Sequence, residues 1–146
     1  MSDKRAVVAA WESLFRAQVA VMRDLTTEFP AGGLSFNEYD VLFNLSRQPG
    51  RRLRIKDLNR QLLLSQPSVS RLIDRLVTRG IVSKCSDERD ARGIVVKMTD
   101  EGFELYRRVA VKHIESINDR VGSALTDGEL EQLRVLTEKL RKGDIR

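Results

Sequence analysis

Two short segments of the chain carry side chains that suit the binding of another molecule through hydrogen bonds and charge. The first, residues 65–75, combines serine, glutamine and arginine without glutamate, and the second, residues 89–92, has two arginines beside an aspartate. Arginine and glutamine match the edges of guanine and adenine, and serine reaches bases or phosphates. Arginine also suits a narrow minor groove or a bidentate phosphate contact. These segments predict binding to double-stranded DNA through Ser65, Gln66, Ser68, Ser70, Arg71, Arg75, Arg89 and Arg92.

The placement of charge supports a polyanionic partner. The 146-residue chain has a net charge of +5, and residues 51–97 hold 12 Lys and Arg against 5 Asp and Glu. The rest of the chain holds 14 against 16. Basic charge is therefore concentrated around the two binding segments. Contacts to phosphates, which give affinity without sequence readout, are expected from Arg51, Arg52, Arg54 and Lys56.

Catalysis and cofactor binding have little support in the sequence. One histidine and one cysteine cannot build the usual metal sites, and no glycine-rich phosphate loop, Ser-His-Asp set or His-Glu-x-x-His motif is present. We therefore predict no enzyme activity and no cofactor. No apolar run approaches the ~18 residues of a membrane span. The single cysteine, Cys85, suits a reducing compartment, so the predicted location is the cytoplasm.

Periodicity and capping indicate the elements that hold the binding side chains. Residues 55–63 read as a short helix, Ser65 caps a second helix, and Gly80 fits the turn that ends it. Two strands, residues 81–85 and 94–98, then form a hairpin with a basic tip, and Arg52-Leu53-Arg54 is long enough only for a short strand. A helix-turn-helix followed by such a hairpin is a winged helix, which places its second helix in the major groove.

Amphipathic helices are predicted at both ends of the chain. Apolar stripes run through residues 4–29, through a helix that starts near Thr99, and through a last helix that includes Leu133, Leu136 and Leu140. Ser35 to Glu38 and Thr126 to Glu129 have the spacing of capping boxes. Three apolar stripes exceed what one small winged helix covers, so we predict a homodimer formed by both termini together.

The predicted fold class is mainly α with a small β-hairpin wing (α+β), a winged helix-turn-helix with N- and C-terminal dimerisation helices. A single domain is expected over residues 1–146. Its DNA-binding region spans residues 35–98, and its dimerisation helices span residues 1–30 and 99–146.

Four stretches of the sequence match a pattern known from one protein family. They are Leu58-Asn59-Arg60-Gln61-Leu62 leading into Ser65 through Leu76, Arg79-Gly80-Ile81-Val82, Asp90-Ala91-Arg92, and Met98-Thr99-Asp100-Glu101-Gly102. In these stretches the chain resembles the MarR family of bacterial transcription regulators. The family's wing has an Asp-x-Arg at a fixed distance before a Leu-Thr-x-x-Gly. Met98 replaces the usual leucine here. Ala91 stands where a second arginine is frequent, which puts one phosphate contact of the wing in doubt.

The resemblance implies a triangular homodimer whose terminal helices interlock and whose two recognition helices read a palindromic operator. Members usually repress, and many release DNA when a small aromatic or phenolic compound binds between the dimerisation helices and the winged helix. Trp11, Phe15, Phe36, Tyr39 and Phe103 are the residues expected to line such an effector pocket, although aromatic residues at helical spacing are also typical of a core.

One further residue role within the wing and two alternative functions complete the predictions. Asp90 is expected to hold Arg92 or Arg89 by a salt bridge within the wing, because phosphates repel a carboxylate. Other members of the family sense oxidants through a cysteine, so a redox-responsive regulator acting through Cys85 is one alternative function. A winged helix used for protein–protein contact is another, against which the basic charge of residues 51–97 speaks.

Overall fold

The computed structural model describes residues 3–90 and 92–143, so Ala91 lies outside the described residues. Helices dominate, with one three-stranded antiparallel sheet, which confirms the predicted fold class. Short helical turns connect some elements, at Thr26–Glu28, Pro49–Arg51 and Asn118–Gly122. The elements are α1 (Lys4–Leu25), α2 (Phe36–Ser46), β1 (Arg52–Arg54), α3 (Ile55–Gln61), α4 (Gln66–Thr78), β2 (Val82–Ser86), β3 (Ile94–Met98), α5 (Asp100–Ile117) and α6 (Asp127–Lys142).

The sheet joins the hairpin to the helix-turn-helix. Strand β3 lies in the middle and pairs with both β1 and β2 in antiparallel register. The last paired residues towards the hairpin tip are Ser86 with Ile94 and, on the other side, Arg54 with Val95. Residues 87–90 and 92–93, the described part of the loop between β2 and β3, therefore lie beyond the last strand pairs. Below, the wing means β2, β3 and this loop.

Residues 28–111 form one compact unit, here called the winged-helix unit. Its core is continuous and is built from α2, α3, α4, the sheet and the first part of α5. The unit extends past residue 98, the predicted end of the DNA-binding region, because Val109 and Ala110 of α5 are buried in the same core. The fully buried large side chains are Leu34, Val41, Leu42, Leu45, Leu58, Val69, Ile73, Leu76, Val82, Val96 and Met98.

The segment from Thr99 to Gly102 joins the sheet to α5 in a manner that only glycine allows. The Thr99 hydroxyl donates to the Gly80 carbonyl oxygen at 2.7 Å and accepts from the Gly102 N–H at 3.0 Å. A Cβ on residue 102 would lie 2.1 Å from the carbonyl oxygen of Ile81, far inside van der Waals contact. The Thr-x-x-Gly pattern of the sequence is thus a packing requirement where α5 begins.

The second compact unit, here called the terminal-helix unit, consists of α1 with the chain from Lys112 onward. Asp3 caps α1, and the predicted capping box starts α6: the Thr126 hydroxyl accepts from the Glu129 N–H, and the Glu129 carboxylate accepts from the Thr126 N–H. Arg120 Nε donates to Asp24 Oδ2 at 2.7 Å. The large apolar side chains of this unit that are exposed are Val7, Val8, Trp11, Phe15, Val19, Ile114, Ile117, Leu133, Val135, Leu136 and Leu140.

Candidate nucleic-acid interface

Helix α4 presents the first predicted binding segment on its outer face. Burial of Val69, Leu72, Ile73 and Leu76 fixes the rotation of the helix, since these side chains anchor it in the core. The opposite face is therefore held towards solvent. Ser65, Gln66, Ser70, Arg71 and Arg75 are exposed, and Ser68 is half-buried, so the structure brings all six predicted side chains of this segment to one helix.

A short chain of hydrogen bonds organises the N-terminal turn of α4. Ser65 accepts from the Ser68 N–H at 3.3 Å and donates its own hydroxyl to Ser68 Oγ at 2.8 Å. Arg71 Nη2 reaches the same Ser68 oxygen at 3.4 Å. The guanidinium is thereby drawn towards the helix N-terminus, where unsatisfied N–H groups and the helix dipole favour a phosphate.

Sequence reasoning missed the role of the one acidic residue on α4. Asp74 lies on the exposed side of the helix, and Lys84 of β2 donates to its Oδ1 at 2.7 Å. Both side chains are solvated, so the pair contributes at most about 1 kcal/mol to stability. Its larger consequence is electrostatic, because the lysine neutralises a carboxylate that would repel DNA. Asp74 is the single acid in α4, and that fact was the signal in the sequence.

The loop of the wing repeats one local motif twice. Asp87 Oδ1 accepts from the Arg89 N–H at 3.0 Å, and Asp90 Oδ1 accepts from the Arg92 N–H at 3.0 Å. Each aspartate therefore fixes the backbone of the arginine two residues later, the geometry of an Asx turn. Both arginine side chains are exposed.

The ion pair of the wing is formed by a different aspartate from the one expected. Among the ion pairs of residues 3–90 and 92–143, Asp90 has none, because its carboxylate is turned onto the main-chain amide of Arg92. Asp87 instead lies 2.6 Å from Nε of Arg54. The N–H of Arg89, together with the charge of Arg54, lowers the pKa of the Asp87 carboxyl below its usual range.

The four basic residues around the start of α3 are not equivalent. The Arg54 guanidinium is engaged by Asp87, whereas Lys56 is exposed and forms no ion pair within the described ranges. Arg51 stacks 4.2 Å above the ring of Phe103 and lies 3.3 Å from Asp100 Oδ1. Arg52 is exposed at the start of β1. Lys56 and Arg52 are thus the members of this set that are open to a phosphate.

The five aromatic residues predicted to line an effector pocket fall into two sets, one in each unit. In the winged-helix unit, Tyr39 stacks on Tyr106 at 5.3 Å and Phe103 lies 6.5 Å from Tyr106. Phe36 meets Phe29 edge to face at 5.4 Å. Burial raises the pKa of Tyr39, so its phenol stays protonated. In the terminal-helix unit, the Trp11 and Phe15 rings are 5.8 Å apart. The pocket itself stays a prediction.

Three other kinds of site concern a reactive thiol, a metal ion and a membrane span. The thiol of Cys85 is exposed on β2. Within residues 3–90 and 92–143, no three histidine, cysteine, aspartate or glutamate side chains come together as a metal site would require. In the same part of the chain, no helix has the length and apolar character needed to cross a membrane.

Comparison with known proteins gives consistent results. The sequence profile of the MarR family matches residues 32–93. AbsC of Streptomyces coelicolor, a MarR family transcriptional regulator, is 26% identical, with a TM-score of 0.78 over 98% of this chain and 99% of that one. Sco3205 of the same organism, solved in complex with DNA, is 24% identical, with a TM-score of 0.81 over 100% and 92%.

A third solved structure concerns regulation by a small molecule. BpsR of Bordetella bronchiseptica, whose DNA binding is regulated by 6-hydroxynicotinic acid, is 23% identical, with a TM-score of 0.74 over 91% of this chain and 93% of that one. At such identity the likeness of the last two proteins shows a common fold. No curated protein sequence matches the chain.

Proposed function

We propose that this chain, whose residues 32–93 match the MarR family, is a dimeric, sequence-specific DNA-binding transcription regulator. One observation carries the proposal: the exposed face of α4 and the two wing arginines belong to one compact unit that also holds the excess basic charge. A face of serine, glutamine and arginine on a helix with a rigidly buried back matches what major-groove readout requires.

Each part of this surface has its own task in the proposal. Gln66, Ser70 and Arg71 reach base edges in the major groove, because they are exposed near the start of α4. Ser65 and Ser68 lie at the helix N-terminus, which binds a backbone phosphate. Arg92 and Arg89 enter the flanking minor groove or grip its phosphates. Base contacts give specificity, and the phosphate contacts give most of the affinity.

Dimerisation is supported by the terminal-helix unit. The faces of α1 and α6 expose large apolar side chains, among them Trp11 at 55% and Leu136 at 63% of their accessible surface. Along each helix these side chains recur at helical spacing, and an exposed apolar stripe of this kind is typical of a protein interface. A second copy with the same stripes would cover them and set two α4 helices for two half-sites of a pseudo-palindromic operator.

The first experiment measures binding by fluorescence anisotropy to the DNA upstream of the protein's own gene, with nonspecific competitor and at several salt concentrations. We expect tight, competitor-resistant binding by a dimer. Arg71→Ala and Arg92→Ala should each weaken binding by about 1–3 kcal/mol, the value of a good base or groove contact. Arg134→Ala is the matched control, because this exposed arginine of α6 is paired with Glu131.

The outcomes separate the parts of the proposal. Unchanged affinity in Arg92→Ala would remove the wing from the interface, and unchanged affinity in Arg71→Ala would remove α4. Weak binding that competitor DNA and moderate salt abolish would contradict a sequence-specific regulator. Binding to a protein partner with no preference for DNA would favour the alternative use of the winged helix.

We propose further that the regulator represses and that a small aromatic compound releases it. The aromatic side chains Trp11, Phe15, Phe36, Tyr39 and Phe103 support this ligand class. The first probe is 6-hydroxynicotinic acid, followed by simple phenols and benzoates, added to the preformed DNA complex in the same anisotropy assay. Release at ligand concentrations that leave the protein folded would support an effector site, and no release by any of them would oppose it.

A redox response through Cys85 is the second candidate, and the observation in its favour is the exposed thiol on the wing. Thiolate formation and oxidation require solvent access, which this position provides. Hydrogen peroxide should then release DNA from the wild type but not from Cys85→Ser. If the variant responds to peroxide as the wild type does, Cys85 is not a sensor.

A further inference from the structure

We infer that Asp87 positions the wing arginines, with Arg54 as its counter-ion, so that Arg54 acts within the protein rather than on a DNA phosphate. The inference deepens the proposed function and rests on it where DNA binding is the readout. It concerns two residues that lie 33 positions apart in sequence and that meet at the tip of the sheet.

The geometry of the pair is the first support. Arg54 is the last residue of β1 and stands immediately before α3, so it belongs to the helix-turn-helix. Its Nε lies 2.6 Å from Asp87 Oδ2, and the Asp87 side chain is only 10% exposed. That oxygen is buried, and the neighbouring cation is the Arg54 guanidinium, whose charge helps to lower the pKa of the Asp87 carboxyl. The charge of Arg54 is therefore what compensates the buried carboxylate oxygen.

The second support is what the rest of Asp87 does. Its other carboxylate oxygen accepts the Arg89 N–H, and its own N–H donates to the Gly93 carbonyl at 2.9 Å. The loop is closed tightly at this point, because a Cβ on Gly93 would lie 3.2 Å from Asp87 Cβ. Asp87 thus contacts three parts of the winged-helix unit. These are the helix-turn-helix through Arg54, the first Asx turn through Arg89, and the residue before β3, Gly93.

The consequence for the loop follows from the sheet. The strand ladder ends at Ser86 and Ile94, and beyond it the loop is closed by the hydrogen bond from the Asp87 N–H to the Gly93 carbonyl. The Arg54–Asp87 pair supplies a second attachment between this loop and the body of the winged-helix unit. A loop without it would have to lose more conformational freedom on binding, which weakens affinity even though no contact to DNA is removed.

An argument from charge alone predicts tighter DNA binding when the Asp87 charge is removed, whereas a positioning role predicts weaker binding. A substitution at Asp87 therefore distinguishes the two explanations. Asp87→Asn keeps the size and the acceptor oxygen for Arg89 but removes one negative charge from a surface that faces DNA. If Asp87 were only a charge near the interface, this variant would bind DNA more tightly. If it positions the wing, the variant loses its attraction for Arg54 and binds more weakly, by about fivefold to tenfold.

The experiment measures Asp87→Asn, Arg54→Met and the double variant. Lys56→Met is the comparison variant, because Lys56 is exposed and lies two residues from Arg54. Affinities are measured by anisotropy over a series of salt concentrations. We expect the two single variants to lose similar affinity and the double variant to lose no more than either, because both break the same pair. The slope of log affinity against log salt should stay unchanged in Arg54→Met. Loss of one phosphate contact makes this negative slope less steep by about 0.9, which is the change we expect for Lys56→Met.

A second readout needs no DNA. Nuclear magnetic resonance order parameters of the Arg89 and Arg92 amides should fall in both single variants and stay at the wild-type value in Lys56→Met. Unchanged order parameters would overturn the inference even if the protein binds its operator as proposed. Lowered order parameters without any DNA binding by the wild type would support the positioning role and contradict the proposed function. A less steep dependence of affinity on salt in Arg54→Met, or tighter DNA binding by Asp87→Asn, would also overturn the inference.

Discussion

The two units of the molecule differ in how far each one buries its own apolar side chains. Of the seventeen buried apolar residues in the described part of the chain, all but Leu25 lie in the winged-helix unit. Of the fifteen exposed large apolar residues in the same part, eleven lie in the terminal-helix unit. Amphipathic helices with similar capping boxes occur in both units, so local helix chemistry does not account for the difference.

The contrast indicates two kinds of stability. The winged-helix unit has a core of residues that pack on one another, and its stability should depend on the fit of single side chains. In the terminal-helix unit eleven large apolar side chains are exposed, and in the proposed dimer a second copy of the chain would bury them. Its contribution should therefore depend on protein concentration, as expected when folding and association are linked.

The largest effect should come from truncating a core leucine. Leu76→Ala removes a side chain that is fully buried in the winged-helix unit and should lower the free energy of unfolding by about 2–5 kcal/mol. Leu136→Ala makes the same chemical change on α6, where the side chain is 63% exposed. Urea denaturation at a high and a low protein concentration distinguishes the two.

For Leu136→Ala we expect little change within one subunit and a weaker dimer, visible as a midpoint that falls more steeply on dilution than in the wild type. Leu76→Ala should lower the midpoint by a similar amount at both concentrations. If Leu136→Ala were as destabilising as Leu76→Ala in a form shown to be monomeric, the proposed difference between the units would be wrong.

The second-largest effect on stability should come from substituting a glycine of the winged-helix unit, with a glycine of the terminal-helix unit as its control. Gly102→Ala would place a Cβ 2.1 Å from the Ile81 carbonyl oxygen, so the start of α5 must move, at a cost of about 3 kcal/mol. Gly128→Ala adds a Cβ in the first turn of α6 with nothing within 4 Å. Because alanine is the better helix former, this control should be neutral or stabilising by up to about 1 kcal/mol. Thermal unfolding monitored by circular dichroism measures both, and equal shifts would mean that the close approach at Gly102 is relieved without cost.

Much of the fold could be predicted from local signals. The two capping boxes at Ser35 and Thr126, the cap at Ser65, the glycine after α4 and the β-branched strands all depend on residues a few positions apart. Such patterns act over a short range and are visible in the sequence. The outer face of α4 was predictable for the same reason, since helical periodicity separates its buried and exposed sides.

The contacts that sequence reasoning missed connect residues far apart in the chain. Three acids stand in or beside the wing loop, and nothing in their spacing tells which one faces Arg54. The answer depends on the register that places Arg54 opposite Val95. The sequence also could not show that the winged-helix unit continues to residue 111, because helical periodicity does not separate the buried Val109 and Ala110 from the exposed Ile114 and Ile117 on the same helix. Only the packing of α5 on the core assigns them.

The smallest effect on the free energy of unfolding should come from removing the capping hydroxyl of either capping box. The two boxes have the same chemistry in different surroundings. In the winged-helix unit, Ser35 Oγ accepts from the N–H of Glu38, whose side chain is 10% exposed and lies 3.6 Å from Arg79 Nη1. In the terminal-helix unit, Thr126 accepts from the Glu129 N–H in solvent.

Ser35→Ala should cost about 1–2 kcal/mol and Thr126→Ala about 0.5–1 kcal/mol, because water replaces a lost partner more readily at an exposed helix end. Urea denaturation at one high protein concentration measures both, with Ser35→Thr and Thr126→Ser as controls that keep a hydroxyl. A larger loss in Ser35→Ala would show that burial around the winged helix strengthens even its local caps. Equal losses would mean that capping acts alike in both units, and the contrast between them would then be confined to the packing of their apolar side chains.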